Sequence, residues 1–188
     1  NNTLFNVKVN KYPEFNNKII MSTIVLNEDN YIRQWINFHL NIGISNFIIY
    51  DNCREKEKSN LKKVLNDFIK KQIVILIEWP YAYRLNKSGI SGQTTQQNHS
   101  IYAFRKSKYI GLFDIDEYIN IQTDTNINIF LDSFIKKLQL DTNNIGSFRI
   151  LNKFFTNPDN LSTSGYDFLS IYSCQDITKK GREKNFVI

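Results

Sequence analysis

The segment Phe113-Asp114-Ile115-Asp116-Glu117-Tyr118 sets three carboxylates directly after the apolar run 109–113. A carboxylate taken out of water is costly unless a cation or a hydrogen-bond donor meets it. Acids gathered at the mouth of a buried strand therefore point to a ligand that brings positive charge. In an extended chain, Asp114 and Asp116 face one side and Ile115 the other. Two oxygen donors on one side suit a hard divalent cation that keeps positions open for a phosphate. The plain alternative is a solvated turn whose acids are incidental, because a three-residue motif alone has little specificity.

These acids need a scaffold, and hydrophobic periodicity outlines one. Residues 19–26 form a β-rich run that ends at Asn27-Glu28-Asp29-Asn30, a cluster suited to a loop and a helix start. Ile32, Trp35, Ile36, His39 and Leu40 fall on one helical face, with Gly43 as a stop signal. A second strand is expected at 46–50, ending at Asp51-Asn52. Leu61, Val64, Leu65, Phe68 and Ile69 repeat the helical face before an uninterrupted strand at 73–77. This βαβαβ order implies parallel pairing. Residues 93–106 predict a polar helix without a broad apolar face, so something polar must lie against it. That helix feeds the strand that carries the acids. A further amphipathic helix (Ile127, Phe130, Leu131, Phe134, Ile135, Leu138) and a strand at 146–151 follow. Beyond 153 the pattern weakens to turn signals at 157–159 and 162–165, a strand candidate at 166–172 and a basic, loop-like stretch at 179–184.

In an open parallel sheet, ligands bind outside the carboxyl ends of the strands. The residues at those exits are Asn27 and Glu28, Asp51 and Asn52, Trp79 and Tyr81, and then Asp114, Asp116 and Glu117. Independent turns had no need to be this polar, and their convergence makes the acids a candidate site. No Gly-x-Gly-x-x-Gly follows the first strand and no Walker sequence occurs, which disfavours a Rossmann dehydrogenase or a P-loop NTPase. His39, on an apolar face, reads as a hydrogen-bonded core histidine, and Trp35 as core. His99 on the polar helix is open between pocket and surface. Trp79 and Tyr81 are open between stacking on a base or sugar and filling the core.

The composition, 188 residues with 41% hydrophobic and 14% aromatic, allows a full core and is most simply a single domain spanning 1–188. A net charge of +6 and a pI near 9.2 fit an anionic ligand or an acidic membrane surface touched peripherally. The lysines at 56, 58, 62, 63, 70 and 71 read as a solvated helix face. A nucleic-acid module would interleave lysines with exposed aromatics on one surface, and that pattern is absent. Two cysteines without CxxC spacing argue against a disulfide framework or a cysteine zinc site. No stretch approaches the roughly 20 apolar residues that span a bilayer. The sequon at Asn98 falls in the polar helix, which favours a cytoplasmic location over a glycosylating compartment. The first residue is Asn, consistent with a piece of something longer.

Four segments together resemble the glycosyltransferases of family 92 and their family-2-like relatives with the GT-A fold. Leu26-Asn27-Glu28-Asp29-Asn30-Tyr31-Ile32-Arg33-Gln34-Trp35, continuing to His39 and Gly43, is similar to the opening Asn-Glu motif and its helix. Phe47-Ile48-Ile49-Tyr50-Asp51-Asn52 resembles the Tyr-Asp-Asn strand end. Residues 93–101 resemble the Gln-rich helix, and Phe113-Asp114-Ile115-Asp116-Glu117-Tyr118-Ile119 resembles the Asp-x-Asp-Glu-aromatic signature. The likeness covers residues 19–121 and thins afterwards. Residues 151–155 lack the Trp and Gly of the family's Trp-x-x-Phe-Gly, and the segment 181–188 is similar to its Lys-x-Ile-Val stretch, with the following His motif absent.

The resemblance implies an α/β GT-A nucleotide-diphospho-sugar transferase fold with a mostly parallel central sheet flanked by helices, and leaves two alternatives for the missing His motif: a domain truncated at its C-terminus, or the same roles met elsewhere. It implies a hexosyltransferase-type enzyme moving a sugar from a nucleotide-diphosphate sugar, UDP by preference, to a hydroxyl of a glycan, protein or lipid, with inversion. On this reading Asp114 and Asp116 hold Mn2+ or Mg2+, and Asp114, Asp116 and Glu117 form the catalytic cluster. Leu26, Asn27 and Glu28 line the nucleoside, Asp51 accepts from base or ribose, and Gln93, Gln97 and His99 belong to the donor pocket. The alternatives are a binding-only or inactive nucleotide-sugar domain, a nucleic-acid module, and phosphoryl or nucleotidyl transfer at the same carboxylates.

Overall fold

Residues 19–25, Ile-Ile-Met-Ser-Thr-Ile-Val, alternate between two apolar environments, and this alternation sets the layering. The structure is a computed structural model, and it describes residues 11–55, 59–83, 91–121, 126–141, 143–152, 154–156, 173–175 and 184–188. Its elements are β1 (Ile19–Val25), α1 (Ile32–Asn41), β2 (Asn46–Asp51), α2 (Leu61–Val64), α3 (Asn66–Lys70) and β3 (Val74–Glu78). They continue with α4 (Ser91–Ala103), β4 (Tyr109–Leu112), α5 (Ile127–Lys137), β5 (Ser147–Ile150), β6 (Phe154–Thr156), β7 (Ser173–Gln175) and β8 (Lys184–Val187).

Ile19, Met21 and Val25 pack with Phe47 and Ile49 of β2 and with Trp35, Ile36 and Leu131 from α1 and α5. Ile20 packs on the other side with Ile48, Tyr50, Ile110 and Leu112, and with Phe104 just after α4. Side chains along a strand alternate, so a sheet buried on both faces reads as a continuous apolar run. Each fully buried Ile or Phe contributes on the order of 1.5–3 kcal/mol.

The six-stranded sheet has the order β3-β2-β1-β4-β8-β5. β1, β2, β3 and β4 are parallel, with Ile20 opposite Asn46, Phe47 opposite Val74 and Ile19 opposite Tyr109. β8 runs against both of its neighbours, so β5 points the same way as β4 and a single strand is reversed. The mixed α/β architecture with a mostly parallel sheet matches the sequence expectation. β6 and β7 form a separate antiparallel pair.

Two expectations differ. The helix expected over 61–69 is two short helices, because Leu65 (φ −101°, ψ 7°) leaves helical geometry. The bend keeps Leu61, Leu65 and Phe68 buried on one side. The basic stretch at 179–184 was expected to be loop; its last residue, Lys184, opens β8. A four-residue strand with one buried side chain, Phe186, carries little local signal, and its order comes from pairing with β4 and β5. The strand candidate at 166–172 and the turns at 157–159 and 162–165 lie outside the described residues.

Geometry demands glycine at positions 43 and 111, as it does at 92, where an added Cβ would run into Ala82 O. Gly43 has φ +97°, and a Cβ there would sit 2.6 Å from the Asn126 side chain, which caps α5 by accepting from Asn128 N. Gly111 in β4 faces Phe186 of β8, whose ring would lie 2.7 Å from an added Cβ.

Candidate active site

The strand β4 ends at Leu112, and residues 115–116 form a turn, so the alternation of an extended chain does not reach Asp116. Glu117 N donates to Asp114 O at 3.1 Å and closes the turn. Asp114 N in return donates to Glu117 Oε2 at 2.9 Å. The two acids of the Asp-x-Asp pair consequently have different surroundings.

Asp114 is clamped. Gln93 Nε2 donates to its Oδ1 at 2.8 Å, and Lys184 Nζ donates to its Oδ2 at 2.5 Å. Tyr83 OH donates to Gln93 Oε1 at 3.1 Å, which fixes the amide with its nitrogen toward the acid. Glu117 braces the loop: it also receives Lys184 at 3.2 Å and Asn152 Nδ2 at 3.2 Å. Burial pushes the Glu117 carboxyl up, against the pull of the Asp114 amide and Lys184. Burial would lower the Lys184 ammonium, but the carboxylates of Asp114 and Glu117 outweigh it and hold it above its ordinary value. Asp116 instead is exposed and lines an open cleft of about 710 Å³ together with Leu26, Glu28, Asn52, Tyr83 and Asp114. Burial, then the charges of Asp116 and Asp29, raise the Glu28 carboxyl. Among the described residues no ion pair neutralises Asp116 or Glu28.

The loop is also held from the first helix. Trp35 Nε1 donates to Glu117 O at 2.9 Å. His39, fully buried, bonds Trp35 O through Nδ1 at 2.8 Å and Ile119 N through Nε2 at 3.4 Å. A carbonyl only accepts and an amide only donates, so Nδ1 carries the proton and Nε2 is bare. Burial lowers the His39 pKa to about 4, and the imidazole is neutral at pH 7. The expectation of a core histidine holds, and both core residues additionally fix the backbone around the acids.

The polar helix α4 explains itself at this site. It packs through Gln93 on Asp114, Gln96 Nε2 on Ser22 Oγ at 2.8 Å, and His99 Nδ1 on Tyr50 OH at 2.7 Å. Of the other expected site residues, Leu26 and Glu28 line the cleft, and Asn27, with φ 58°, makes the left-handed turn out of β1 between them. Asp51 is engaged within its own loop, accepting from Cys53 N at 3.0 Å and Ser59 Oγ at 2.5 Å, while its neighbour Asn52 faces the cleft. Gln97 is half-buried on α4 and is not among the cleft-lining residues. His99 lines a second cavity with Trp79 and Tyr81. Sequence reasoning missed Lys184, Asn152 and Tyr83. For Lys184 the available signal was a cation followed by the strand-like Phe186-Val187-Ile188.

Against known proteins, the sequence profile of glycosyltransferase family 92 matches residues 19–184. The chain belongs to glycosyltransferase family 92. A family 92 glycosyltransferase of Ricinus communis is 22% identical over 133 residues, which cover 71% of this chain and 22% of the relative. The family 92 chain described here thus spans about a fifth of that curated relative's length. The family match runs through β1, the acid loop and Lys184, so the whole clamp lies inside the family 92 region. Among the described residues no helix is long and apolar enough to cross a membrane, and no group of three or more His, Cys, Asp or Glu side chains is placed to hold a metal.

Proposed function

We propose that this chain is a GT-A glycosyltransferase domain, a single unit over 1–188, that moves a sugar from a nucleotide-diphosphate sugar, UDP by preference, to an acceptor hydroxyl. The observation that carries the reading is the placement of Asp116 and Glu28, two carboxylates without a cation among the described residues, in a cleft lined from the exits of three parallel strands. An oxygen donor set of this kind fits a hard divalent ion. Asp116, with Asp114 beside it, would hold Mn2+ or Mg2+, and the ion would supply charge neutralisation for the departing diphosphate.

The chain's own residues supply position. Lys184, Gln93 and Glu117 keep the acid loop in one geometry, so Asp116 meets its ligand without reorganisation. Leu26 and Asn52 line the cleft where the nucleoside would lie. The acceptor oxygen attacks the anomeric carbon, the bond from that carbon to the diphosphate oxygen breaks, and the nucleoside diphosphate leaves with the electron pair. Attack opposite the leaving group inverts the carbon, and the acceptor proton passes to a carboxylate base.

Calorimetric titration of UDP with Mn2+, then with EDTA, and then with Asp114→Ala and Asp116→Ala tests this. Metal-dependent binding lost in both variants supports the donor site and justifies screening UDP-sugars for transfer. If neither UDP nor GDP binds the folded wild type, the donor-site reading is wrong.

A further inference from the structure

The side-chain amide of Asn52 has one polar atom to spare. Its Nδ2 donates to Trp79 O at 2.7 Å and to Tyr81 O at 2.8 Å, which uses both N–H bonds. Both partners are carbonyls and only accept, so the amide has a single orientation and Oδ1 is left over. Among the described residues no donor meets Oδ1, and the atom is not sealed from solvent, although Asn52 as a whole is only 5% exposed. The backbone is held as firmly: Asn52 N donates to Val25 O at 2.9 Å, which ties the exits of β1 and β2 together. The residue lines the cleft with Leu26 and Asp116. A nearly buried acceptor without a donor is rare, and here it calls for a donor that a ligand brings.

We propose that Asn52 Oδ1 selects the base of the donor nucleotide by accepting from a ring N–H beside a carbonyl, the lactam group that uracil and guanine carry and cytosine and adenine lack. This selectivity rests on the donor-site reading above. The family resemblance gives contact with the base or ribose to Asp51, but Asp51 accepts from Cys53 N and Ser59 Oγ inside its own loop, and its neighbour takes over the role. Cytosine and adenine place a bare nitrogen where the lactam bases carry N–H, so an acceptor would face an acceptor. Because the chain holds both amide N–H bonds, Asn52 does not turn to offer a donor instead. The exocyclic amino groups of those two bases reach the oxygen only if the ring shifts off that edge. Leu26, 50% exposed at the exit of β1, offers an apolar surface to the flat face of the ring. A ribose hydroxyl also donates, but it accepts equally well, so an acceptor fixed in one orientation adds no discrimination there.

Calorimetric titration in the presence of Mn2+ compares UDP, GDP, CDP and ADP with a ring-methylated analogue of the preferred nucleotide: N3-methyl-UDP for uracil, N1-methyl-GDP for guanine. Methylation replaces the ring N–H and leaves phosphates, ribose and carbonyls intact. UDP or GDP is expected to bind the wild type at least about tenfold tighter than CDP and ADP, and methylation is expected to cost at least about tenfold, the effect of leaving a nearly buried acceptor unpaired. Comparison of the UDP and GDP arms decides which lactam base fits. In Asn52→Ala, verified as folded by its amide-proton spectrum, the methylated and parent nucleotides should bind alike. The ligand series on the wild type decides the matter even where that variant does not fold. The proposal is overturned if CDP or ADP matches the preferred nucleotide, if methylation changes the affinity by less than about threefold, or if folded Asn52→Ala still discriminates against the methyl group. A loss of binding with 2′-deoxy-UDP, while the methylated base is tolerated, overturns it in favour of a ribose contact. Equal binding of all four nucleotides defeats base selection alone, whereas failure of all four on the folded wild type defeats the donor-site reading and base selection with it.

Discussion

Acidification should loosen the acid loop through His39. The neutral ring donates to Trp35 O and accepts from Ile119 N, and it sits against Trp35, Phe38 and Tyr118 with no exposed surface. Protonation removes the acceptor and buries a charge. Burial lowers the folded-state pKa from 6.5 to about 4. A depressed pKa means that stability is complete above the unfolded value of about 6.5 and is lost as pH falls through the folded value. The drop of about 2.5 in pKa, at about 1.4 kcal/mol for each, makes the loss about 3 kcal/mol by pH 4. That is a large fraction of a typical domain's 5–15 kcal/mol. His99, also lowered by burial, works in the same direction, whereas Glu28 and Glu117, raised, oppose it below neutral pH. Urea unfolding of wild type and His39→Gln from pH 7.5 to 4 isolates the His39 contribution as the difference between the two curves. The variant should start less stable and lose about 3 kcal/mol less over this range. Parallel curves would refute the assignment of a buried, neutral His39.

Asp116→Asn should leave the melting temperature unchanged or slightly raised, because it relieves the charge near Glu28, while metal-dependent UDP binding falls at least about tenfold. Thermal shift and calorimetry on one preparation check both halves. Lys184→Met strips the cation from Asp114, 40% exposed, and Glu117, 22% exposed. The pair lies between the exposed and buried cases, so the cost is about 2 kcal/mol, or a melting-temperature drop of about 4–8 °C; Lys184→Arg should recover much of it. Gly43→Ala forces a left-handed φ of +97° on a residue with a Cβ and displaces the Asn126 cap. Its cost, about 1–3 kcal/mol, is read by denaturant unfolding, and Asn126→Gly in the same chain should remove the steric part.

The parallel half of the fold was legible because its strands and helices carry local signals. The apolar, β-rich runs of β1 and β2 and the spacing of Trp35, Ile36 and His39 hold within a few residues of chain. The polar face of α4 announced a polar neighbour, and the acids after β4 announced a site. Long-range features were not legible. β8 exists because β4 and β5 accept it, and nothing local in Lys184-Asn185-Phe186-Val187 specifies that pairing. The turn at residues 115–116 depends on the exchange between Asp114 and Glu117, which separates the roles of two acids that the motif treats alike. Asp51 illustrates the same limit: a polar residue at a strand exit can be consumed by the loop it begins, leaving its neighbour Asn52 to face the cleft.

The position of β8 also dictates the order in which the molecule can be completed. During synthesis β1, α1, β2, β3 and β4 emerge first and can pair among themselves through parallel contacts. The place between β4 and β5 stays open until residues 184–187 arrive, and among the described residues β5 has no other partner in the sheet. Until then Asp114 and Glu117 lie together without their ammonium, and the exposed edge of β4 offers a template for pairing with another chain. Closing a loop of this length is slow relative to local folding. The nascent chain therefore passes through an interval in which its acids repel and its sheet is open, and a single late-arriving strand ends both conditions at once.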